Sequence, residues 1–530
     1  MSDNIMELTG ENFIGNNRSR QGDIIYQAVD PASEEKLLPY YFEATSVEVD
    51  QAVQKAESAF QNYRKKSGNE KAIFLEQIGD EIMQLGDKLI ERCCRETELP
   101  EQRINGERTR TVNQLKLFAG LLKEGSWVDA RIDTADPQRR PAPKPDIRSM
   151  QIALGPVAIF GASNFPLAFS VVGGDMVSAL AAGCTVVIKA HPAHPGTCEM
   201  MAGCVINAVK KLNFPEGTFS MLQGPSPQVG MKIVNHPLIR AVGFTGSYKG
   251  GKAIFDAAVR RPDPIPVYAE MGSVNPVFVL PGAMAEKSSE IADGLASSVT
   301  LGVGQFCTNP GIFVIEGTEE GNRFLQNVAD NIKKINCGSM LTSAIYQSYQ
   351  TGIRMLGNET GVSVLAQGIG RDTANQGIPY LFLVSSENFL SNDRLEEEVF
   401  GPSTLAVTAG NKSDLIQVAR KLKGHLTATI YATEKDLENY AELVSILERK
   451  AGRLIINGFP TGVEVCHSMV HGGPFPATTD SRTTSVGTAA IHRFTRPVCY
   501  QNFPDHLLPE ELKENNPLQI WRLFNGERKK

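Results

Sequence analysis

Between residues 151 and 280, short and uniformly apolar segments alternate with longer segments of helical character. Strands are predicted at 157–160, 185–188, 219–222 and 241–244. Helices are predicted between them, over 167–182 and 198–212. Strands that are apolar throughout and separated by helices are typical of a parallel sheet covered on both faces. The pattern therefore predicts an α/β chain that contains a doubly wound, Rossmann-like unit.

The regions on either side have different patterns. Residues 48–125 carry apolar side chains at helical spacing with charges between them, which predicts amphipathic helices. Residues 136–145 contain four prolines, so we expect an exposed connection between extended segments, such as a protruding arm. Residues 290–460 repeat the α/β pattern. Strands are predicted there near 311–315, 403–407, 429–431 and 453–456.

Composition narrows the class of protein. The 530 residues are 42% hydrophobic and carry a formal net charge of −6, as in an ordinary globular chain. A mildly acidic chain lacks the basic patch of a dedicated nucleic-acid binder. The first residues show no basic region followed by an apolar one, and the longest apolar stretch is interrupted by Asp175 and glycines. We therefore expect a cytoplasmic protein without nucleic-acid or membrane partners, whose nine cysteines stay reduced.

A glycine-rich turn follows the predicted strand at 241–244 and precedes a helix. It contains Gly243, Gly246, Ser247 and Gly250. Glycines in such a turn let the backbone approach a pyrophosphate, and the helix start offers free N–H groups to an anion. The spacing is not that of the usual dinucleotide fingerprint, so a purely structural turn and a cofactor site are equally good interpretations.

Two further residues each allow a structural and a catalytic interpretation. Cys307 lies in a glycine-rich stretch, where it is either a buried inert thiol or a nucleophile. Glu270 follows a predicted strand at 266–268, where a buried carboxylate is costly unless it is paired or functional. Composition alone favours the inert thiol for Cys307.

Two histidine pairs raise the question of a metal. His191 and His194 are three residues apart, and His467 and His471 are four apart. No cysteine or carboxylate cluster near either pair in the sequence completes a zinc pattern. We therefore predict no metal site.

Six segments, taken together and in this order, resemble the aldehyde dehydrogenase superfamily from about residue 30 to 500. They are 161–166 (GASNFP), Lys189 at a strand end, 243–247 (GFTGS), 270–272 (EMG), 304–308 (GQFCT) and 398–402 (EVFGP). The resemblance implies a Rossmann-type cofactor domain over 1–125 and 153–273, and an α/β catalytic domain over 274–480. It also implies a β oligomerisation arm built from 126–152 and 481–530.

The resemblance assigns catalytic roles and reverses the interpretation of Cys307 as inert. Cys307 is the implied nucleophile, which attacks an aldehyde to give a thiohemiacetal. The Asn164 amide and the backbone N–H of Cys307 are the implied oxyanion hole. Glu270 is the implied general base that hydrolyses the resulting thioester. Acyl transfer to coenzyme A, in which such a base is unwanted, and a non-catalytic protein of this fold are the weaker alternatives.

The resemblance also implies a nicotinamide cofactor. Its implied contacts are Lys189 on the adenine-side ribose, Ser247 with the turn glycines Gly243, Gly246 and Gly250 on the pyrophosphate, Glu398 on the nicotinamide ribose and Phe400 near the nicotinamide. Family members that prefer NAD often carry a glutamate three residues after the lysine, but Pro192 stands there. Without a carboxylate to repel a 2′-phosphate, we predict NADP, with NAD as the alternative.

Four other segments resemble the bacterial family members that oxidise 2,5-dioxopentanoate (2-oxoglutarate semialdehyde). They are 96–110, 236–240, 472–479 and 494–498. NADP-preferring long-chain aldehyde dehydrogenases share part of this signature and are the alternative. Since a substrate carboxylate favours an arginine fork, Arg108 is the predicted partner of the substrate carboxylate, with Arg103 and Arg482 as further candidates. Phe165 is also a predicted substrate contact. The extended arm predicts a homodimer or homotetramer.

Overall fold

The computed structural model describes residues 7–371 and 374–530. The α-helices are α1 (Ser46–Tyr63), α2 (Gly68–Gln84), α3 (Gly86–Thr97), α4 (Glu101–Glu124), α5 (Gly174–Ala182), α6 (Pro195–Lys211), α7 (Pro227–Asn235), α8 (Tyr248–Val259), α9 (Pro281–Thr300), α10 (Glu319–Ile332), α11 (Ser343–Gly357), α12 (Ser386–Ser391), α13 (Lys412–Lys421), α14 (Glu434–Asn439) and α15 (Ala441–Leu447). Short 3₁₀ segments lie at Ser126–Val128, Leu301–Gly304, Asp393–Glu396, Thr488–Phe494, Asp505–Leu507 and Glu510–Leu512.

The strands form three larger sheets and two short pairs. They are β1 (Asn12–Ile14), β2 (Asn17–Ser19), β3 (Ile25–Val29), β4 (Lys36–Phe42), β5 (Arg131–Asp133), β6 (Ile147–Ala153), β7 (Val157–Phe160), β8 (Val186–Lys189), β9 (Phe219–Leu222), β10 (Ala241–Thr245), β11 (Val267–Glu270), β12 (Val277–Val279), β13 (Ile312–Glu316), β14 (Gly338–Ser339), β15 (Ser363–Gln367), β16 (Gln376–Gly377), β17 (Tyr380–Ser385), β18 (Ser403–Ala409), β19 (His425–Tyr431), β20 (Ala451–Ile456), β21 (Thr495–Gln501), β22 (Arg522–Phe524) and β23 (Glu527–Lys529). β3 pairs with β4, and β14 pairs with β16.

The helices predicted over 48–125 are confirmed as α1 to α4. α1 and α2 each begin at a capping box, in which the side chain of Thr45 or Ser67 accepts from a backbone N–H three residues on. Pro100 precedes α4, as suits a residue that has no N–H to place inside a helix. The apolar faces of α2 and α4 pack on α5 and α6 to form a buried core beside the first sheet.

The first sheet has the order β11-β10-β7-β8-β9-β1-β2. β7 to β11 are parallel, as the sequence predicts, while β1 pairs antiparallel with β9 and extends the sheet. The carboxyl ends of β7, β8, β10 and β11 therefore meet at one edge. In an open α/β sheet this is the edge at which ligands bind.

The second sheet has the order β15-β17-β18-β13-β12-β19-β20 and is parallel except for β15. Its strands β12 and β13 carry apolar side chains on both faces, whereas one face of β19 carries His425, Thr427 and Thr429. The parallel order of the sheet agrees with the α/β repeat predicted for 290–460. A third sheet, β21-β6-β5-β22-β23, joins the chain before β7 to the last residues. Its strands β5 and β6 flank the exposed proline-rich connection at 136–145, which confirms that prediction.

The predicted helix over 167–182 is wrong in its first half. The helix begins only at Gly174, because the backbone N–H groups of Leu167 and Ala168 donate to the Glu107 carboxylate at 2.8 and 2.9 Å. Glu107 lies on α4, so the loop ahead of α5 is held open by a helix about sixty residues away in sequence. This loop carries Asn164.

Within the described residues, every helix is too short or too polar to cross a lipid bilayer.

Candidate active site

Glu270 ends β11 and is buried, with 2% of its surface exposed. Its Oε1 lies 3.0 Å from Nε2 of His471, and the Ser485 hydroxyl donates to its Oε2. Both partners come from one segment that covers the edge of β11, where Thr479 donates its backbone N–H to the Ala269 carbonyl. The segment that pairs with the edge of β11 therefore also places His471 and Ser485 against the Glu270 carboxylate.

His471 is buried, with 1% exposed, and its backbone is fixed on both sides. Its N–H donates to Thr484 Oγ1 at 2.8 Å, and its carbonyl accepts from the Ser485 N–H at 2.8 Å. The following Gly472 has no room for a side chain, since a Cβ there would lie 2.6 Å from the Thr483 carbonyl oxygen. The imidazole is therefore held in one place.

Cys307 follows the 3₁₀ segment Leu301–Gly304, in a tightly packed stretch. A Cβ on Gly304 would collide with the Gly401 backbone at 2.3 Å, and Gly304 has φ +65°. The Asn275 amide donates to the Cys307 carbonyl at 2.8 Å. This packing places Sγ of Cys307 3.4 Å from Nε2 of His471. One imidazole nitrogen thus contacts both the thiol and the Glu270 carboxylate.

Within the cluster, the pKa values of Glu270 and Cys307 are shifted in opposite directions. Burial alone raises the pKa of Glu270, but the adjacent His471 and the Ser485 hydroxyl outweigh it and leave the pKa below its ordinary value. Burial, together with the charges of Glu270 and Glu398, raises the pKa of Cys307 well above that of a free thiol. The resting site therefore holds a carboxylate beside a protonated thiol, so the thiol needs a base to become a nucleophile.

Asn164 lies on the opposite side of the cysteine loop. The side-chain Nδ2 of Asn164 donates to the Gln305 carbonyl at 2.9 Å, and the backbone carbonyl of Asn164 accepts from Arg103 Nη2 at 2.7 Å. A primary amide has two N–H donors, so one remains for an oxygen atom in the site. The predicted residues Asn164, Glu270 and Cys307 are therefore brought to one place by the fold.

The prediction that no cysteine or carboxylate accompanies the His467–His471 pair is wrong in three dimensions. One ligand-type atom from each of Glu270, Cys307 and His471 lies within 4.8 Å of the others. Sulfur, nitrogen and oxygen donors of this kind also occur in zinc sites. The sequence pattern could not show it, because the three residues come from distant segments. That no metal binds here stays a prediction.

Lys189 ends β8 at the ligand-binding edge of the first sheet. Its ammonium donates to the carbonyls of Ala190 and Gly224, and burial lowers its pKa to about 8. Among residues 7–371 and 374–530, no carboxylate lies within 4.0 Å of it. A largely buried ammonium held only by carbonyls suits the hydroxyls or phosphate of a nucleotide ribose.

The turn after β10 matches its prediction only in part. Ser247 caps α8 by accepting from the Gly250 N–H at 3.2 Å, and Gly246 lies beside it in the exposed part of the turn. Gly243, in contrast, is buried, and a Cβ there would lie 2.8 Å from Oδ2 of Asp175. Gly243 therefore has a packing role, and its cofactor contact stays a prediction. The Gly246 and Gly250 N–H groups donate to the Glu270 carbonyl and to Ser247 Oγ, so the first N–H groups of α8 are those that suit a pyrophosphate.

Glu398 and Phe400 line a cleft of about 400 Å³ that also touches Phe306, next to the nucleophile. The Glu398 carboxylate packs on Gly272, where a Cβ would lie 2.3 Å from its Oε2. The glycine at 272 is therefore required for this approach. An acidic group in a cleft that reaches the cysteine loop suits the hydroxyls of a ribose. Together with Lys189 and the turn at Ser247, Glu398 therefore fits a dinucleotide.

The predicted substrate arginine is placed elsewhere. Arg108 donates through Nη1 to the Gly86 carbonyl and through Nη2 to Asn105 Oδ1 on its own helix, both at 2.9 Å, and its buried Nε has no partner among the described residues. Arg482 is exposed and paired with Asp480. Phe165 does lie at the site, where its ring packs edge-to-face on Phe306 with centroids 5.4 Å apart.

Sequence reasoning missed His471 and Ser485 as functional residues. The available signal was local: a histidine directly before two consecutive glycines marks a tightly packed position, which is unusual for a solvated histidine. Arg110 was noticed only as part of a signature. In the structure its guanidinium carbon lies 4.9 Å from the centre of the Phe169 ring, and the His471 ring lies 6.2 Å from that ring.

Comparisons with known proteins agree with this geometry. The model of the aldehyde dehydrogenase family matches residues 18–496. The chain is 48% identical to alpha-ketoglutaric semialdehyde dehydrogenase 2 of Azospirillum brasilense, over 98% of this chain and 100% of the relative. It is 46% identical to alpha-ketoglutaric semialdehyde dehydrogenase of Acinetobacter baylyi, over 98% of this chain and 99% of the relative.

Among solved structures, aldehyde dehydrogenase C of Pseudomonas syringae, complexed with NAD⁺ and octanal, superposes with a TM-score of 0.79 at 20% identity. The match covers 93% of this chain and 97% of that one and extends to the whole fold. Family match, full-length relatives and fold agree with the six segments read from the sequence. The chain therefore belongs to the aldehyde dehydrogenase family and is an oxidoreductase that acts on aldehydes.

Proposed function

We propose that this enzyme oxidises 2,5-dioxopentanoate to 2-oxoglutarate with NADP, through a thiohemiacetal and a thioester on Cys307. The observation that carries the mechanism is the contact of Cys307 Sγ and Glu270 Oε1 with the same nitrogen of His471, at 3.4 and 3.0 Å. The names of the two relatives at 48% and 46% identity support the substrate.

The first step is attack on the aldehyde. Because burial keeps the thiol protonated, a base must take its proton as the sulfur approaches the carbonyl carbon. Nε2 of His471 donates its hydrogen to the Glu270 carboxylate and therefore has no lone pair for the thiol proton. Glu270, whose carboxylate lies within 4.8 Å of Sγ, accepts the proton, and its low pKa lets it release that proton to water before the last step. The carbonyl oxygen becomes an oxyanion, which the remaining N–H of Asn164 and the backbone N–H of Cys307 stabilise.

Two groups of residues would hold the cofactor, one at the carboxyl ends of β8 and β10 and one in the cleft beside Phe306. Lys189 binds the adenine-side ribose, Gly246, Ser247 and Gly250 provide the pyrophosphate turn, and Glu398 binds the nicotinamide ribose with Phe400 beside it. Bound NADP supplies the acceptor for the aldehyde's hydride. Pro192 leaves the ribose 2′ position without the carboxylate that would repel a phosphate, which supports NADP over NAD.

The last step is hydrolysis of the thioester. Glu270 acts as the general base that takes a proton from water, and its depressed pKa keeps it ionised at neutral pH. Water attacks the acyl carbon, the carbon–sulfur bond breaks, and the carboxylate product leaves. A base in this position opposes transfer of the acyl group to a thiol such as coenzyme A.

A panel of aldehydes against both cofactors tests the proposal. We expect NADPH formation with 2,5-dioxopentanoate at a kcat/KM at least about tenfold above that with hexanal. We also expect NADP to be used better than NAD. A higher kcat/KM for hexanal or longer aldehydes would replace the substrate with a long-chain aldehyde, and a large preference for NAD would overturn the cofactor.

We also propose a homodimer or homotetramer assembled through the third sheet. Its edge strands β21 and β23 offer backbone groups for pairing with another chain. Trp521, Leu507 and Phe503 expose about half of their surface nearby, at 48%, 63% and 47%. Light scattering on the purified enzyme measures the assembly; a monomer at micromolar concentration would contradict it.

A further inference from the structure

One face of α4 borders the active site. Arg103, Glu107 and Arg110 follow one another at spacings of four and three residues, so they project from the same side of the helix. Glu107 holds the loop that carries Asn164, and Arg103 donates to the Asn164 carbonyl. Arg110 completes the row. It lies over the ring of Phe169, which is buried with Ala162, Ala168 and Val486.

The arginines near Cys307 differ in how strongly their guanidinium N–H groups are hydrogen-bonded by the protein. The Arg103 guanidinium is enclosed between the rings of Phe165 and Phe306, at 4.9 and 4.8 Å from their centres, and its Nη2 donates to the Asn164 backbone carbonyl at 2.7 Å. Arg453 makes three bonds to the carbonyls of Pro460 and Gly462, the shortest at 2.8 Å. Each of the two also has one buried donor nitrogen without a partner among the described residues, but each is committed to the site by at least one bond of 2.8 Å or less.

Arg110 is not committed in this way. Its Nη2 makes one long contact of 3.4 Å with the Val463 carbonyl, and its buried Nη1 has no hydrogen-bond partner among the described parts of the chain. No carboxylate within 7–371 and 374–530 comes within ion-pair distance of it. The carboxylate that acts most strongly on Arg110 is Glu107, from beyond ion-pair distance. A partly buried guanidinium whose charge is only compensated from a distance is costly, and a buried donor without a partner calls for an explanation such as a ligand.

The position of Arg110 fits a ligand that also reaches the nucleophile. Its guanidinium and the imidazole of His471 both lie against the Phe169 ring, at the distances given above, and Cys307 lies close enough for its charge to act on Arg110. The surrounding side chains Phe165, Val463 and Met469 are apolar, as suits a short carbon chain. A guanidinium among apolar side chains suits an acid whose reacting group lies several carbons away.

We propose that Arg110 is the specificity-determining residue, and that its Nη1 binds the carboxylate of an aldehyde acid whose carbonyl lies at Cys307. The inference rests on the proposed function, which it deepens, and it replaces the sequence-based candidate Arg108. Arg110 pairs with the substrate carboxylate and takes no part in bond making. Its removal therefore weakens the use of acidic aldehydes and spares neutral ones.

The test compares Arg110→Met with Arg108→Met, its matched control on the same helix, using 2,5-dioxopentanoate and hexanal. For Arg110→Met we expect kcat/KM to fall roughly 10- to 100-fold for 2,5-dioxopentanoate, mainly through KM, and less than about threefold for hexanal. Arg108→Met should change the ratio of the two values by less than about twofold. Equal losses on both substrates in Arg110→Met, or a selective loss in Arg108→Met, would overturn the inference.

Two further measurements keep the result decisive. If thermal unfolding shows that Arg110→Met is not folded, Arg110→Lys keeps the charge but loses the fork. It should then show a smaller loss that is still selective for the acid, and an unselective loss would refute the role. If the wild-type enzyme does not favour 2,5-dioxopentanoate, the proposed function fails by itself. Arg110 is then judged on succinic semialdehyde against butanal, where a selective loss keeps the inference and an equal loss ends it.

Discussion

The catalytic cluster and the cofactor-facing residues use their polar atoms in opposite ways. In the cluster, Glu270 and His471 are at most 2% exposed, and their side chains bond to each other. On the cofactor side, Ser247 and Glu398 are exposed, and Ser247 makes only the local contact that caps its own helix. The first region is fixed by tertiary contacts, and the second offers backbone groups and single charges to a ligand.

The difference has a physical consequence. Removing one atom from a buried network leaves its partner without a hydrogen bond and changes the chemistry directly. Changing an exposed group alters the affinity for a ligand, and solvent screens much of the effect. We therefore expect substitutions in the cluster to lower kcat by orders of magnitude. Those around the cofactor should change cofactor preference by about tenfold.

The largest expected effect is that of Cys307→Ala. The substitution removes the nucleophile and leaves the packing of the loop almost unchanged, so kcat should fall by roughly 10⁴-fold or more. NADPH absorbance with 2,5-dioxopentanoate measures the rate, and thermal unfolding checks the fold. Activity close to that of the wild type would refute the mechanism and would make Cys307 a structural thiol.

His471→Asn should have the next largest effect. Without the imidazole that keeps the Glu270 carboxylate in place and ionised, the thiol loses its base, so kcat at neutral pH should fall roughly 10²-fold or more. Because burial raises the pKa of Cys307, the thiolate fraction grows only as pH rises, so the variant should recover activity toward alkaline pH. The wild type, which has its own base, should show a flatter pH profile. The rate of thiol alkylation by iodoacetamide reports the same difference without turnover.

The matched control is His467→Asn. His467 is exposed, lies four residues away, and contacts only the Thr488 hydroxyl at 3.3 Å. It should retain the kcat and the alkylation rate of the wild type within about twofold. If His471→Asn alkylates as fast as this control and has the same pH profile, Glu270 activates the thiol without the help of His471.

The same contrast explains what the sequence could predict. The parallel strands were predicted because apolar runs such as 157–160 and 219–222 are local patterns. The loop ahead of α5 was not, because the Glu107 carboxylate binds its N–H groups from a separate helix. The role of His471 depends on contacts that span 164 residues to Cys307 and 201 to Glu270. A motif can point to a nucleophile and its base, but the groups that set their protonation become visible only once the chain is folded.

The smallest expected effect lies on the cofactor side, at Pro192. Pro192→Glu introduces a carboxylate near the ribose end of Lys189, where it would repel a 2′-phosphate and accept from a 2′-hydroxyl. The ratio of kcat/KM for NADP to that for NAD should fall about tenfold, whereas the uncharged control Pro192→Gln should change it less than about threefold. Equal shifts in the two variants would show that the backbone freedom gained by losing proline, and not the charge, sets the preference. A fall confined to the glutamate variant, with kcat unchanged, would show that this side of the site controls binding while the buried cluster controls the chemistry.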